Sequence, residues 1–454
     1  MRQPFLDLSA LRERLGYFSL LLFAFCAWLS TTGTSIALVL MLLAFMADPR
    51  ALKTLIRNPV FHLACIFGLY LALLGEHAAQ EFPETAQAQK NDWNSWMKLY
   101  GFLLAAWWLK ADIRRIRILI LCALAGFLLN TLRHMDWSAL IHGKLGHRSG
   151  FGLQELFFGL LADTSLLGLL LYAPRCRRGL PPHLRRTGVA VWVLIALLLV
   201  YGLVFCGSKS AWLMAALIFP PILFLRFRHL LQAGTGARIK LVMAVVVGLL
   251  IVIGITSLGF KVILNRLNED RAVVAELLHG NWKDLPRSSL SYRLDVQTYG
   301  LLKWRERPFT GWGTGSSQYL IQHSQQPGLH YKDANQTLWL VHTHNTYIEI
   351  LLRTGLIGMG LLFLLLYFLL TSLRQAQREK QLSLDDFLFF AGSLVLLATW
   401  NTFDFRMLHT DFRAYWIILA GVLYTFRLHS GSLPEDPASV PESIQAPGRL
   451  SLFP

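Results

Sequence analysis

Apolar runs long enough to span the hydrocarbon of a bilayer recur along almost the whole chain, and they limit the fold more than anything else in it. A spanning helix needs about 20 mostly apolar residues. Runs approaching or exceeding that length fall at 16–30, 33–47, 59–75, 93–109, 116–131, 151–173, 188–206, 210–225, 241–260, 345–370, 386–403 and 412–427. Inside lipid each backbone N–H and C=O must be paired within the protein, so the runs read as helices. Composition agrees, with 54% hydrophobic and 15% charged residues, against about one quarter charged in a soluble domain. These features exclude a soluble enzyme, a disordered scaffold and a disulfide-stapled secreted module. The expected class is an all-α polytopic membrane protein of about twelve transmembrane helices.

Loop charge orients these helices. With the N-terminus inside, the cytoplasmic loops hold Arg50, Lys53, Arg57, Lys110, Arg114, Arg115, Arg117, Arg175, Arg177, Arg178, Arg185, Arg186, Arg226, Arg228, Arg238, Lys240, Arg374, Arg378 and Lys380, which makes 19 basic residues. The short outside loops hold seven, namely Lys90, Arg133, Lys144, Arg148, Lys209, Arg406 and Arg413. Basic residues gather on the cytoplasmic side of membrane proteins. Helices 1–9 are therefore expected over 1–260, an extracytoplasmic loop region over 261–344 and helices 10–12 over 345–430. A disordered cytoplasmic tail is expected over 431–454, where Pro434, Pro437, Pro441 and Pro447 cluster. The same asymmetry accounts for the net charge of +16 without a nucleic-acid partner. Arg2, Arg12 and Arg14 precede the first run with no small-residue cleavage site after it, which reads as an uncleaved first span. Cys26, Cys65, Cys122, Cys176 and Cys206 lack metal-ligand spacing and read as small apolar residues.

The chain lacks a P-loop, a dinucleotide fingerprint and any Asp-x-Asp pair, so neither ATP, another cofactor nor a bound metal is expected. Asp163 is the clearest intramembrane acid, and stands equally as a functional group or as hydrogen-bonded packing. The strongest local signal is His342-Thr343-His344-Asn345-Thr346-Tyr347-Ile348-Glu349, where the outside segment re-enters the membrane. Imidazole suits proton transfer near neutral pH. The competing account is an interfacial histidine pair at a helix start, with Asn345 as N-cap. A metal is disfavoured because no third ligand is near in sequence. Lys209 lies in the tight outside turn Cys206-Gly207-Ser208-Lys209-Ser210-Ala211-Trp212, and Arg293 on an amphipathic stretch from Ser289 to Arg305 that ends before Pro308. Each cation alone reads as snorkelling or solvated. Together with the histidines they share one membrane face, where a diphosphate leaving group needs cations if no metal is present.

His344-Asn345, nine intervening residues, then Gly355-Leu356-Ile357-Gly358, resembles the signature of bacterial O-antigen ligases. Gly207-Ser208-Lys209-Ser210-Ala211-Trp212-Leu213 is similar to a basic hairpin element of the wider ligase and polymerase superfamily. Ser291-Tyr292-Arg293-Leu294, followed by Arg307-Pro308-Phe309-Thr310-Gly311-Trp312-Gly313, resembles its Arg-bearing helix and glycine-rich turn. The resemblance implies a GT-C-like, inverting, metal- and ATP-independent glycosyltransferase of the bacterial inner membrane. It would move glycan from undecaprenyl diphosphate to a sugar hydroxyl of lipid A-core at the periplasmic face. The family's catalytic histidine falls on His344 and its diphosphate cations on Arg293 and Lys209, with His342, Asn345, Gly355 and Gly358 in support. Lys209 departs from the arginine usual there, keeping the charge without the bidentate fork. His142, His147 and Arg148, on the loop between the fifth and sixth runs, stand either as lining for the acceptor side or as a solvated loop. An O-antigen polymerase shares the superfamily elements and a protein O-oligosaccharyltransferase the His-Asn element, and each differs in acceptor. A transporter of lipid-linked sugars would instead place basic residues within the spans on both leaflets.

Overall fold

Polar caps and prolines set where the helices begin. Asp48 and Asn58 accept backbone N–H bonds at the starts of α3 (Pro49–Ile56) and α4 (Pro59–Glu81), and each helix has proline at its first position, where no N–H is needed. Ser30 caps α2 (Thr31–Met46), so the short linker expected after α1 (Leu8–Cys26) does separate two helices. The computed structural model describes residues 8–138, 148–178, 181–231, 260–282, 285–329 and 340–430. Among the described residues there is no strand. The described residues are otherwise all helix, turn and loop, as in a polytopic membrane protein.

Further helices are α5 (Ala86–Met97), α6 (Phe102–Leu109), α7 (Ile113–Arg133), α8 (Glu155–Arg178), α9 (Arg185–Phe205) and α10 (Lys209–Leu231). After them come α11 (Phe260–Asn268), α12 (Arg271–Leu278), α13 (Ser289–Glu306), α14 (Ser317–Gln322), α15 (Thr346–Arg378), α16 (Leu384–Trp400) and α17 (Thr410–Leu428). Six are long and apolar enough to cross a membrane: α4, α7, α8, α9, α10 and α15. A seventh crossing arises if α2 and α3, bent by 88°, form one broken span. The expected run 93–109 is broken instead into α5, a 3₁₀ turn at Lys98–Gly101 and the eight-residue α6. Runs 241–260 and 431–454 fall almost wholly or wholly outside the described residues.

α17 lies against α6 and α15, and α16 against α8 and α10, around one continuous core rich in Phe, Leu and Trp. A second, smaller core of Val296, Tyr299, Trp312, Leu320 and Leu352 joins α13 to the start of α15. Asp163, in the middle of α8, is fully buried, and neither carboxylate oxygen has a hydrogen-bond partner among the described residues. The hydrogen-bonded packing proposed for it is not found.

Candidate active site

The two glycine-bearing motifs form one structural unit. α15 is interrupted at Gly355, whose φ of 61° and ψ of −166° lie outside any helix. The interruption frees backbone groups, and the turn after α13 pairs with them. Leu356 and Ile357 donate N–H bonds to the carbonyls of Pro308 and Phe309 at 2.9 and 3.1 Å, while Trp312 and Gly313 donate to Leu352 and Arg353 at 2.9 and 3.0 Å. No side chain fits between the segments: a Cβ on Gly355 would stand 2.2 Å from the Phe309 oxygen, and one on Gly311 2.6 Å from the Arg353 carbonyl carbon. Gly358 packs directly on Thr354 within the helix. Tyr70 of α4 braces the break by donating to the Thr354 carbonyl at 2.6 Å.

His344 sits at the mouth of this unit. Asn345 caps α15 by accepting from the N–H groups of Tyr347 and Ile348 at 3.0 and 3.1 Å, so its role is structural, as the interfacial account expected. His344 just before it has φ 51°, a left-handed conformation uncommon for a side-chain-bearing residue and frequent at functional sites. Its Nδ1 lies 3.1 Å from Oδ1 of Asp404, in the connection between α16 and α17. Burial would raise the Asp404 carboxyl, but the hydrogen bond to His344 and the charges of His342, His344 and Arg293 hold it below the usual carboxylate range. An ionised carboxylate only accepts, so His344 Nδ1 carries the proton, and the lone pair of the neutral ring falls on Nε2. His342 lies alongside, ring centroids 4.2 Å apart, with Nδ1 accepting the His344 backbone N–H at 3.2 Å. Burial and the neighbouring His344 push its imidazole down to about 3, so it is neutral at physiological pH.

The cations converge beside this corner. Ser288 forms a reciprocal capping box at the start of α13, which places Arg293 in its second turn. Arg293 Nη1 donates to the Phe403 carbonyl at 3.1 Å, next to Asp404, while its buried Nε finds no partner among the described residues. Lys209 forms a salt bridge with Asp270, whose other oxygen accepts from the Leu290 N–H at 3.3 Å, tying the hairpin to the start of α13. Two arginines grip the same hairpin. Arg148 Nε donates to the Cys206 carbonyl at 2.9 Å and Arg266 Nε to that of Gly207 at 3.1 Å. Gly207 turns with φ 60° and lets both pass close to its backbone. Burial lowers the affinity of Arg148 and Arg293 for their protons, and Arg266 adds to this in both. Carboxylates accompany three of these cations, Asp270 and Glu269 at Lys209, Glu269 at Arg266 and Glu155 at Arg148, whereas Arg293 has no ion pair among the described residues and is the cation best placed to meet an anion with charged oxygens.

Thus His342, His344, Arg293 and the Lys209 hairpin do come together, and Gly355 and Gly358 shape the break behind them. Arg148 joins the hairpin through its bond to the Cys206 carbonyl; His142 and His147 lie outside the described residues. The expectation that no third metal ligand is near is corrected, because Asp404 offers a carboxylate, and one atom each of His342, His344 and Asp404 lie within 4.8 Å of one another. Asp404 and Arg266 were missed in the sequence. Both lie in segments assigned to the outside face, which was the only signal available for them.

Residues 194–363 match the family model described as O-Antigen ligase. The match supports the O-antigen ligase superfamily and does not separate ligases from polymerases. No curated protein matches the chain. The matched stretch runs from within α9 into α15 past the Gly355 break. It includes Lys209, Arg266, Arg293 and His344 but excludes Arg148 and Asp404.

Proposed function

We propose that the chain is an O-antigen ligase of the inner membrane, with both termini cytoplasmic and the His344 corner periplasmic. It transfers glycan from undecaprenyl diphosphate to a sugar hydroxyl of lipid A-core as an inverting, GT-C-like enzyme that uses neither ATP nor metal. The observation that carries this reading is the 3.1 Å contact between His344 and Asp404 beside a cluster of cations.

Each group then has a defined task. His344 Nε2 takes the proton of the acceptor hydroxyl as general base, and Asp404 holds the ring in that tautomer and offsets the imidazolium that forms. The acceptor oxygen bonds to the anomeric carbon as the bond from that carbon to the diphosphate oxygen breaks, which inverts the centre. The lipid diphosphate leaves with the electron pair. Arg293, Lys209, Arg148 and Arg266 stabilise the charge gathered on it. The anomeric bond to a diphosphate is already activated, so no nucleotide is consumed.

Deletion of the gene, followed by gel analysis of lipopolysaccharide and of the lipid-linked pool, tests the choice of reaction. Loss of long-chain lipopolysaccharide with accumulation of polymerised lipid-linked glycan supports the ligase. Loss of the polymer itself identifies a polymerase.

A further inference from the structure

The proposed base is held by a backbone in an uncommon conformation, and a buried carboxylate fastens the residue just before it. Glu349, in the first turn of α15, is 0% exposed. Its Oε2 accepts the N–H of Thr343 at 2.8 Å, the residue directly before His344. Its Oε1 accepts from Arg353 Nε at 2.6 Å, one helical turn further on. Arg353 is itself buried, and its Nη1 contacts both Asp92 of α5 and the Thr314 carbonyl of the glycine-rich turn. Its guanidinium lies 4.9 Å from the centre of the Phe405 ring, beside Asp404, and the same ring packs against His342. Glu349 therefore reaches the dyad from both sides: through Thr343 to the backbone of His344, and through Arg353 and Phe405 to the segment carrying Asp404. A buried charge is costly unless paired and hydrogen-bonded. Helix integrity does not require one here, since Asn345 already caps α15.

We propose that Glu349 is a positioning residue for His344, with Arg353 holding its carboxylate in place. The inference rests on the assignment of His344 as the base. Displacing a reacting group by about 1 Å can cost on the order of a hundredfold in rate, and the left-handed backbone at His344 gives the ring little tolerance for slack.

The experiment uses the purified full-length protein with lipid-linked donor and lipid A-core acceptor, and compares wild type, Glu349→Gln, His344→Ala and the double variant. Glu349→Gln keeps an oxygen for the Thr343 N–H but loses the charge that binds Arg353. Its kcat is expected to fall roughly ten- to a hundredfold, with the donor KM unchanged. In the His344→Ala background the same substitution should cost nothing further, because the group it positions has gone. If the two losses multiply in the double variant, Glu349 acts on structure and the proposal fails. Should Glu349→Gln alone match wild type, the proposal fails while the base assignment stands. His344→Ala at wild-type rate would overturn that assignment and the proposal with it. Glu349→Asp guards against misfolding, since it keeps the charge and withdraws by one methylene from Thr343; it should show the same loss confined to kcat, and wild-type turnover in a folded Glu349→Asp overturns the proposal.

Discussion

The two ends of α16, about 25 Å apart along its axis, treat buried charge in opposite ways. At the N-terminal end Asp386 accepts from Arg117 of α7 and Tyr172 of α8, both at 2.8 Å, and Asp385 pairs with Arg226 of α10. Each carboxylate meets a guanidinium directly, so the charges staple three helices to a fourth and leave little capacity for a ligand. Just beyond the C-terminal end, Asp404 meets an imidazole, while Arg293, whose charge acts on Asp404, donates to a backbone carbonyl and keeps its buried Nε unpartnered among the described residues. The first arrangement is complete without a substrate. The second leaves the Arg293 Nε open among the described residues, and that contrast is why we propose it as the site.

Substitutions at the two ends should therefore fail differently. The largest expected effect is His344→Ala, which should lower turnover by about 10²–10⁴-fold, the range for general acid–base catalysis, while donor binding measured on the purified protein changes little. Asp404→Asn should follow with a loss of roughly 10²-fold in kcat, because the ring loses its orienting anion. Asp386→Asn at the other end should leave turnover per folded molecule within about twofold and instead cost about 1–3 kcal/mol of stability, visible as a lower thermal midpoint in detergent. A large kcat loss in Asp386→Asn with unchanged stability would erase the distinction between the two ends.

Smaller effects sharpen the comparison. Lys209→Ala should raise the donor KM several-fold, and Lys209→Arg should be tolerated, since charge rather than fork geometry is required there. A Lys209→Ala enzyme indistinguishable from wild type would move the diphosphate to Arg293, Arg148 and Arg266. The smallest effect concerns pH. His342 is pushed down to about 3 in the fold from about 6.5 when unfolded, so below pH 6.5 the unfolded chain binds a proton that the folded chain refuses. Its contribution to stability falls as pH drops from about 6.5 toward 3. His342→Asn should flatten that acid decline in thermal scans; an unchanged slope would remove His342 as its source.

Much of this was legible in sequence because the controlling physics is local. The cap at Asn345, the turn at Gly207 and the end of α13 before Pro308 all follow from residue type at a fixed offset, whereas the apolar face expected on α13 does not form, since Leu301 and Leu302 are exposed. What escaped is non-local. Asp404 reaches His344 across 60 residues of sequence, and Arg266 reaches Gly207 across 59. No periodicity encodes such meetings. Composition also gives no sign of the 3₁₀ turn that divides 93–109. The pairing of the Pro308–Gly315 turn with the Gly355 break was likewise hidden, since it consists of backbone hydrogen bonds that side-chain patterns do not reveal.

We propose that a histidine–aspartate pair with surrounding arginines and lysine performs the transfer without a metal. Asp404 joins His342 and His344 closely enough to suggest a metal alternative, so the decisive measurement is glycan transfer by purified protein, with lipid-linked donor and lipid A-core acceptor, in excess chelator. An undiminished rate and an inverted anomeric centre in the product are expected. Transfer abolished by chelator and restored by zinc, with the restoration lost in Asp404→Asn, would contradict the proposal.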